Sequence, residues 1–157
     1  MNHRVFITIL LVGYLSLAVA EETWLDQVNH GIQQSLGEYV LTLASDMGLQ
    51  DYEHSIEISM LDSRLNLSLC KVPLVISPAQ ALKLGRNHIK VSCQQQKAWA
   101  INVPISVNLT TNVVALSQPV ARGIILNEYH LNYKRQNLAQ LRNGYYLKKE
   151  FVIGKQS

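Results

Sequence analysis

The residues of this sequence with the most reactive side chains are two cysteines, Cys70 and Cys93, and five histidines. No two histidines stand at the spacing of a helix turn or of alternate strand positions, so the sequence predicts no metal site. The aspartates stand at helix starts and turns, where capping and solvation explain them. The sequence also contains no Gly-rich phosphate loop, no G-x-S-x-G elbow and no nucleophile beside a base. We therefore expect neither an enzyme nor a bound cofactor.

The N-terminal 20 residues indicate the compartment in which the cysteines are found. A short basic start precedes an apolar run over residues 5–17, and Ala18-Val19-Ala20 follows as an A-x-A cleavage site. The run is shorter than the roughly 20 apolar residues that a membrane span needs. The sequence therefore predicts a cleavable signal peptide over residues 1–20. We expect an exported mature chain that begins at Glu21, without stable membrane insertion.

Export favours a disulfide between the two cysteines. An even number of cysteines in an oxidising compartment is typical of bridged pairs. A bridge from Cys70 to Cys93 would close a loop of about 24 residues, which the chain-entropy model values at about 3 kcal/mol. Cys93 shares the strand parity of Ile89 and Val91, whereas Cys70 falls on the polar parity of its predicted strand. Because the chain turns directly after Cys70, we still expect its side chain to reach inward.

Apolar periodicity predicts one helix and several strands, which is an α+β fold. Thr23 and Asp26 fit a capping box ahead of an apolar stripe at helical spacing, so we expect a helix that ends near Gly48. Because Pro104 lacks an amide donor, its strand is expected at a sheet edge or with a bulge. A turn is predicted at Thr110-Thr111-Asn112. Strands are predicted over residues 53–61, 65–70, 88–93, 99–109 and 113–116.

The pattern weakens after residue 116. Residues 127–131 predict a single helical turn, and polar residues dominate the following stretch to Gln140. Asn143-Gly144 predicts a hairpin-type turn, and Phe151 is expected to begin a strand. The net charge is only +3 and the basic residues are scattered, so the sequence predicts no nucleic-acid partner.

From Asp62 onward the order and spacing of certain residues resemble one family. The residues that carry this resemblance are Asp62-Ser63-Arg64-Leu65, Leu69-Cys70, Gly85, Val91-Ser92-Cys93, Trp99, Ile101-Asn102-Val103-Pro104, Pro119, Arg122-Gly123, Leu126, His130-Leu131, Gly144-Tyr145 and Ile153-Gly154-Lys155. They resemble the flagellar basal-body P-ring formation proteins. These are periplasmic chaperones that help the P-ring subunit to assemble around the rod in Gram-negative bacteria. The resemblance implies a periplasmic location and the P-ring subunit as the partner.

The resemblance also implies a domain layout. An N-terminal helix-and-sheet domain would cover residues 21–112, and the opening part of a SAF-type β-clip domain would cover residues 113–157. Family members continue beyond the position of Gly154-Lys155 through further β-clip strands. We therefore expect either a member that is short at its C-terminus or one whose C-terminal half works differently.

A chaperone of this kind would bind its partner through strand edges and exposed apolar residues. The candidate residues lie on the predicted edge strand and in the region from Val120 to Leu131. They are Val103, Pro104, Ile105, Val120, Arg122, Ile124, Leu126 and Leu131. Packing of these residues against one another is the simpler alternative for any one of them.

Two other functions fit the same sequence. A β-clip also resembles domains of pilus assembly proteins, which suggests a periplasmic adaptor in pilus or secretion-system assembly. Related clips occur beside sugar-acid enzymes, which suggests a carbohydrate-binding module. Trp24 and Trp99 both stand at core parity, however, and leave no aromatic platform for a sugar.

Overall fold

The computed structural model describes residues 22–62 and 64–157. The predicted signal peptide, its cleavage site and Ser63 lie outside these residues. Within them a single α-helix is followed by a mainly antiparallel sheet, which confirms the α+β prediction. The elements are α1 (Trp24–Asp46), β1 (Tyr52–Ile58), β2 (Val75–Pro78), β3 (Gly85–Cys93), β4 (Trp99–Leu116) and β5 (Leu131–Asn137).

Helix α1 begins at the predicted capping box. The Thr23 hydroxyl accepts from the Asp26 N–H at 3.2 Å, and the Asp26 carboxylate accepts from the Thr23 N–H at 3.1 Å. Hydrogen bonds from the Thr23 hydroxyl and N–H lower the pKa of Asp26 below its ordinary value. One stripe of the helix is buried against the sheet, and it consists of Val28, Ile32, Leu36, Val40 and Ala44. Leu25 and Tyr39, which the periodicity also assigns to this stripe, are exposed.

Strand β4 runs unbroken for 18 residues and organises the sheet. Its first half pairs with β3, and residues 105–111 pair with β1. Thr110 and Thr111 pair with β1 and with β5 at once, so β1 lies on one side of β4 while β3 and β5 follow each other along the opposite side. The predicted turn at residues 110–112 is therefore wrong. Thr111 is buried, and its hydroxyl donates to the Asp51 carbonyl at 2.6 Å, which satisfies this polar side chain inside the strand.

Pro104 lies in the centre of the sheet, so the prediction of an edge strand is wrong. The order of the strands is β1-β4-β3-β2. The Pro104 carbonyl accepts from the Ser59 N–H at 3.0 Å, one residue beyond the end of β1 at Ile58. The hydrogen bond that Pro104 is unable to donate would therefore lie at the point where β1 ends. Its loss leaves no gap inside the ladder.

The two faces of the sheet differ in character. The face under α1 forms the main core, in which the strand residues are Ile56, Ile89, Val91, Val103, Ile105, Val107 and Leu109. The opposite face carries polar side chains, including exposed Arg86, Lys90 and Asn102. This contrast follows from the alternation of side chains along each strand.

The stretch from Leu65 to Cys70 is not a strand, contrary to the prediction. Side chains of other elements bind its backbone instead. The Gln27 amide group donates to the Cys70 carbonyl at 2.7 Å and accepts from the Cys70 N–H at 2.9 Å. The Trp99 indole N–H donates to the Ser68 carbonyl at 3.0 Å. Because these backbone groups are already bonded, the alternating sequence joins no ladder.

The Cys70–Cys93 disulfide is present, as predicted, with 5.8 Å between the two Cα atoms. Both cysteines are buried. The bridge fixes the end of the irregular stretch to the last residue of β3, just before the polar loop that leads into β4. It thus joins a segment without ladder bonds to the centre of the sheet.

Candidate partner-binding surface

A second, smaller apolar cluster lies on the face of β4 that is turned away from α1. Its buried members are Leu126, Leu131 and Val152, and Val114 and Val120 pack against them. Leu131 begins β5 and pairs with Leu116 at the end of β4. The side chains of Leu126 and Leu131, both predicted as partner contacts, therefore point into this cluster.

The chain after β5 returns to this cluster by turns. The strand predicted from Phe151 is wrong, because Lys149–Phe151 is a 3-10 helix and Gly154 has a φ of +84°, which reverses the chain. Residues 155–157 then run beside residues 123–126. The Leu126 N–H donates to the Lys155 carbonyl at 2.9 Å, and the Ser157 N–H donates to the Ile124 carbonyl at 3.0 Å.

The predicted helical turn near His130 is confirmed as the 3-10 helix Glu128–His130. Its cap is Asn127, whose side chain accepts from the Tyr129 N–H at 3.1 Å. Arg122-Gly123 forms a turn. The turn predicted at Asn143-Gly144 lies one residue earlier, at residues 142–143, and within the described residues no strands flank it as they would in a hairpin.

These turns leave several large apolar side chains exposed around the second cluster. We call them the C-terminal apolar surface, and Tyr129 is its most exposed member, at 91%. The surface consists of Ile124, Ile125, Tyr129, Phe151 and Ile153. A single apolar residue on a protein surface seldom needs an explanation. Five of them in two short stretches, residues 124–129 and 151–153, mark a candidate contact site.

Two tyrosine–lysine pairs stand on either side of Val114. Tyr133 pairs with Val114 across the ladder, and the Lys149 ammonium lies 5.5 Å from its ring centroid. The Tyr146 carbonyl accepts from the Val114 N–H at 2.8 Å. The ammonium of Lys155 lies 4.4 Å from the Tyr146 ring centroid and donates to its hydroxyl at 2.8 Å. Both rings are about half exposed, so this side of the molecule combines apolar area with positive charge.

The other predicted contact residues have different environments. Val103 and Ile105 are fully buried in the main core, so their side chains offer nothing to a partner. Pro104 is half-buried on the polar face of the central strand. Val120 packs against the second cluster, whereas Arg122 is exposed in its turn. Of the predicted set, Arg122 and Ile124 therefore remain at the surface near the second cluster.

Sequence reasoning missed four of the exposed apolar residues: Ile125, Tyr129, Phe151 and Ile153. Ile125 is exposed whereas its neighbour Leu126 is buried. The two differ because side chains in turns do not alternate with a regular period. The available indication of these exposed residues in the sequence was a set of adjacent apolar residues in a segment without periodicity.

Neither a metal centre nor a membrane-spanning helix is found among residues 22–62 and 64–157. No three side chains of histidine, cysteine, aspartate or glutamate lie together there in a way that could hold a metal ion. No helix in the same residues combines the length and the apolar character needed to cross a membrane.

Comparison with known proteins gives a family match and three similar solved structures. Residues 32–109, from within α1 to within β4, match the family model described as the FlgA N-terminal domain. No curated protein sequence matches the chain.

The similar structures are all of FlgA proteins. Salmonella FlgA in the open form is 21% identical over 78% of this chain and 53% of its own, with a TM-score of 0.49. The closed form is 22% identical over 82% and 57%, with a TM-score of 0.43. FlgA from Thermotoga maritima is 15% identical over 79% and 45%, with a TM-score of 0.43. The chain thus spans about half the length of these solved proteins.

Proposed function

We propose that this chain, which belongs to the FlgA family through residues 32–109, acts as a chaperone in the assembly of the flagellar P-ring. The family match is the observation that carries the proposal. The proposed site of action is the periplasm, and the proposed partner is the P-ring subunit. The Cys70–Cys93 disulfide supports an oxidising compartment, since such bridges are rare in the cytosol.

The C-terminal apolar surface is the region of the molecule that we assign to the partner. An assembly chaperone has to cover apolar surface of its client until the client reaches its place, and exposed apolar side chains do this without catalytic residues. Lys149 and Lys155 at the neighbouring tyrosines favour a client surface that also carries acidic groups. It remains a prediction that residues 113–157 form the opening part of a SAF-type β-clip domain, with a domain boundary between residues 112 and 113.

Complementation tests the role in P-ring assembly. The chain is expressed in a strain that lacks its P-ring chaperone, motility is scored, and isolated basal bodies are inspected for P-rings. We expect rings and swimming to return. A matched full-length homologue must rescue the same strain, and an immunoblot must show that the chain accumulates in the periplasm. A stable, exported chain that restores neither rings nor swimming would contradict the proposal.

Substitutions on the C-terminal apolar surface test the assigned contact. Ile125→Ser and Tyr129→Ser should each reduce co-purification of the P-ring subunit while leaving the fold intact. Leu41→Ser is the matched control, because Leu41 is also a large exposed apolar residue but lies on α1. Equal loss of binding in all three variants would reject this surface as the contact.

A further inference from the structure

Strand β1 forms an edge of the sheet with one side open. In its pairing with β4 the register is Glu53↔Thr110, Ser55↔Asn108 and Glu57↔Ser106. The next pair in this series is bonded through the Ser59 N–H and the Pro104 carbonyl. Since bonded pairs alternate in an antiparallel ladder, the odd-numbered residues of β1 bond to β4. The N–H and C=O groups of the even-numbered residues therefore point away from the sheet.

One of these outward groups already has a partner from the helix. The Gln33 side-chain amide donates to the Ile56 carbonyl at 2.8 Å, which agrees with the outward direction of that carbonyl. Among the residues that the structure describes, no other hydrogen bond reaches this side of β1. The backbone groups of His54, on an exposed residue, are thus ready to pair with an added strand.

The other strand edges suit an added strand less well. Strand β2 has only four residues, and its last is Pro78, which has no N–H. Strand β5 is as long as β1, but it carries polar side chains on both faces from Lys134 to Asn137. Strand β1 has seven residues without proline and a clear difference between its faces.

The two faces of β1 define the sequence of a matching strand. Its even side chains are Tyr52, His54, Ile56 and Ile58, three of which are apolar or aromatic and pack against the main core. Its odd side chains on the opposite face are Glu53, Ser55 and Glu57, all exposed. The Glu57 carboxylate accepts from the Asn108 side chain at 3.0 Å, and Glu53 pairs with Arg135 at 2.9 Å. A strand laid beside β1 would gain from basic residues opposite the glutamates and apolar residues on the other face.

A second copy of this chain does not fit that description. The antiparallel register that pairs all seven residues of β1 with their copies is centred on Ser55. In this register Glu53 of each copy lies directly opposite Glu57 of the other copy on one face, which gives two pairs of like charges. Like charges directly opposite each other are unfavourable in a ladder.

We propose that the open side of β1 binds, by antiparallel strand addition, an extended segment of a partner protein in which apolar residues alternate with lysine or arginine. The inference concerns the N-terminal helix-and-sheet region and does not depend on the proposed flagellar function. Backbone bonds to β1 supply affinity, and Glu53 and Glu57 select basic residues on the polar face.

The probe is a capped peptide of about nine residues that alternates valine with lysine. In antiparallel addition the amides of its valines face β1, while those of its lysines face solvent. We expect N-methylation of two valines to weaken binding by about tenfold or more, since hydrogen bonds to β1 are lost. The same peptide methylated at two lysines should bind about as well as the unmodified one, as measured by titration calorimetry.

Variants of the full chain provide a second test. Glu57→Gln keeps an oxygen for Asn108 but removes the charge, and we expect binding to weaken about two- to threefold. His54→Pro removes an outward N–H, so it should bind more weakly than His54→Ala, which keeps it; retention of the disulfide and of the circular dichroism spectrum shows that each variant folds. Equal affinity for the two methylated peptides, unchanged affinity of Glu57→Gln, or dimers formed through β1 would overturn the proposal.

Discussion

The two halves of β4 support very different amounts of buried structure. The half from Trp99 to Leu109 lies under α1 in a core of fifteen buried residues among those described. The half from Thr110 to Leu116 adds only Val113 to that core, and on its other face Val114 packs against a cluster of only three buried residues. Around the large core, nearly all the strand residues that face α1 are covered, whereas around the small cluster apolar and aromatic side chains remain at the surface.

This difference separates stability from binding capacity. Burial of apolar area is the main favourable term in folding, so the first half should supply most of the free energy of unfolding. Ladder pairing with β5 holds the second half, and backbone hydrogen bonds between residues 123–126 and 154–157 hold the chain around the second cluster. Its exposed apolar residues add little to stability, and they are the ones that can contribute to binding.

The largest expected effect is in the main core. Leu36 is 1% exposed, and Leu36→Ala should lower the free energy of unfolding by about 2–5 kcal/mol, because it removes buried contacts and leaves a cavity. Leu41→Ala on the same helix, where the side chain is 48% exposed, should change it by less than about 0.5 kcal/mol. Urea unfolding measures both. Similar losses in the two variants would mean that α1 is not packed as described.

The disulfide should rank next. Replacing both cysteines with serine should cost about 3 kcal/mol, chiefly because the unfolded chain regains the freedom of the closed loop. Chemical denaturation with and without reductant separates the bridge from the substitution: the wild-type chain should lose a similar amount on reduction, and the double variant should not respond. A double variant as stable as the oxidised wild type would contradict the prediction.

A smaller effect is expected in the second cluster. Leu131→Ala should cost about 1–2 kcal/mol, less than Leu36→Ala, since the small cluster can relax more easily. Hydrogen exchange should accelerate in residues 124–131 and 152–157 while the amides of β3 keep their protection. Equal acceleration in β3 would show that both clusters open as one unit, and the comparison between the halves would fail.

The smallest expected effect concerns the start of α1. Because hydrogen bonds from Thr23 lower the pKa of Asp26 in the folded state, its contribution to stability is present above the ordinary carboxyl pKa. It is lost as the pH falls through the lower folded-state pKa. Asp26→Asn should flatten this region of the stability–pH curve, measured by thermal unfolding across the acid range. Thr23→Ala removes the hydroxyl and should flatten it in the same direction.

The sequence predicted those regions of the fold that have a regular period and a single buried face. Helix α1 with its capping box and the long alternation of β4 are of this kind. The pairing of Cys70 with Cys93 was predicted on other grounds, from the even number of cysteines and the expected compartment. Strand β5 was missed because its side chains are polar on both faces and its partner is supplied only by the sheet. The turn at Thr110–Asn112 was predicted from polar residue types, although Thr111 is satisfied inside the strand by the Asp51 carbonyl.

The candidate surface was less predictable than the fold. The proline rule placed Pro104 at an edge, but the rule only requires that one ladder bond be missing, and here the neighbouring strand ends at that point. Val103 and Ile105 therefore lie in the core rather than at a contact site. Ile124 was predicted and is exposed, whereas its neighbours depend on turn geometry, which apolar period does not encode.

The pairing of β1 with β4 also has a consequence for the order of folding. Ser55 and Asn108, which meet in this ladder, stand 53 residues apart in the sequence. A chain that emerges from its N-terminus therefore carries α1 and β1 for a long interval before β4 exists. During that interval both sides of β1 are unpaired, and Glu53 and Glu57 lie on the same strand as Ile56 and Ile58. Their charge would keep nascent copies from pairing with one another until β4 arrives.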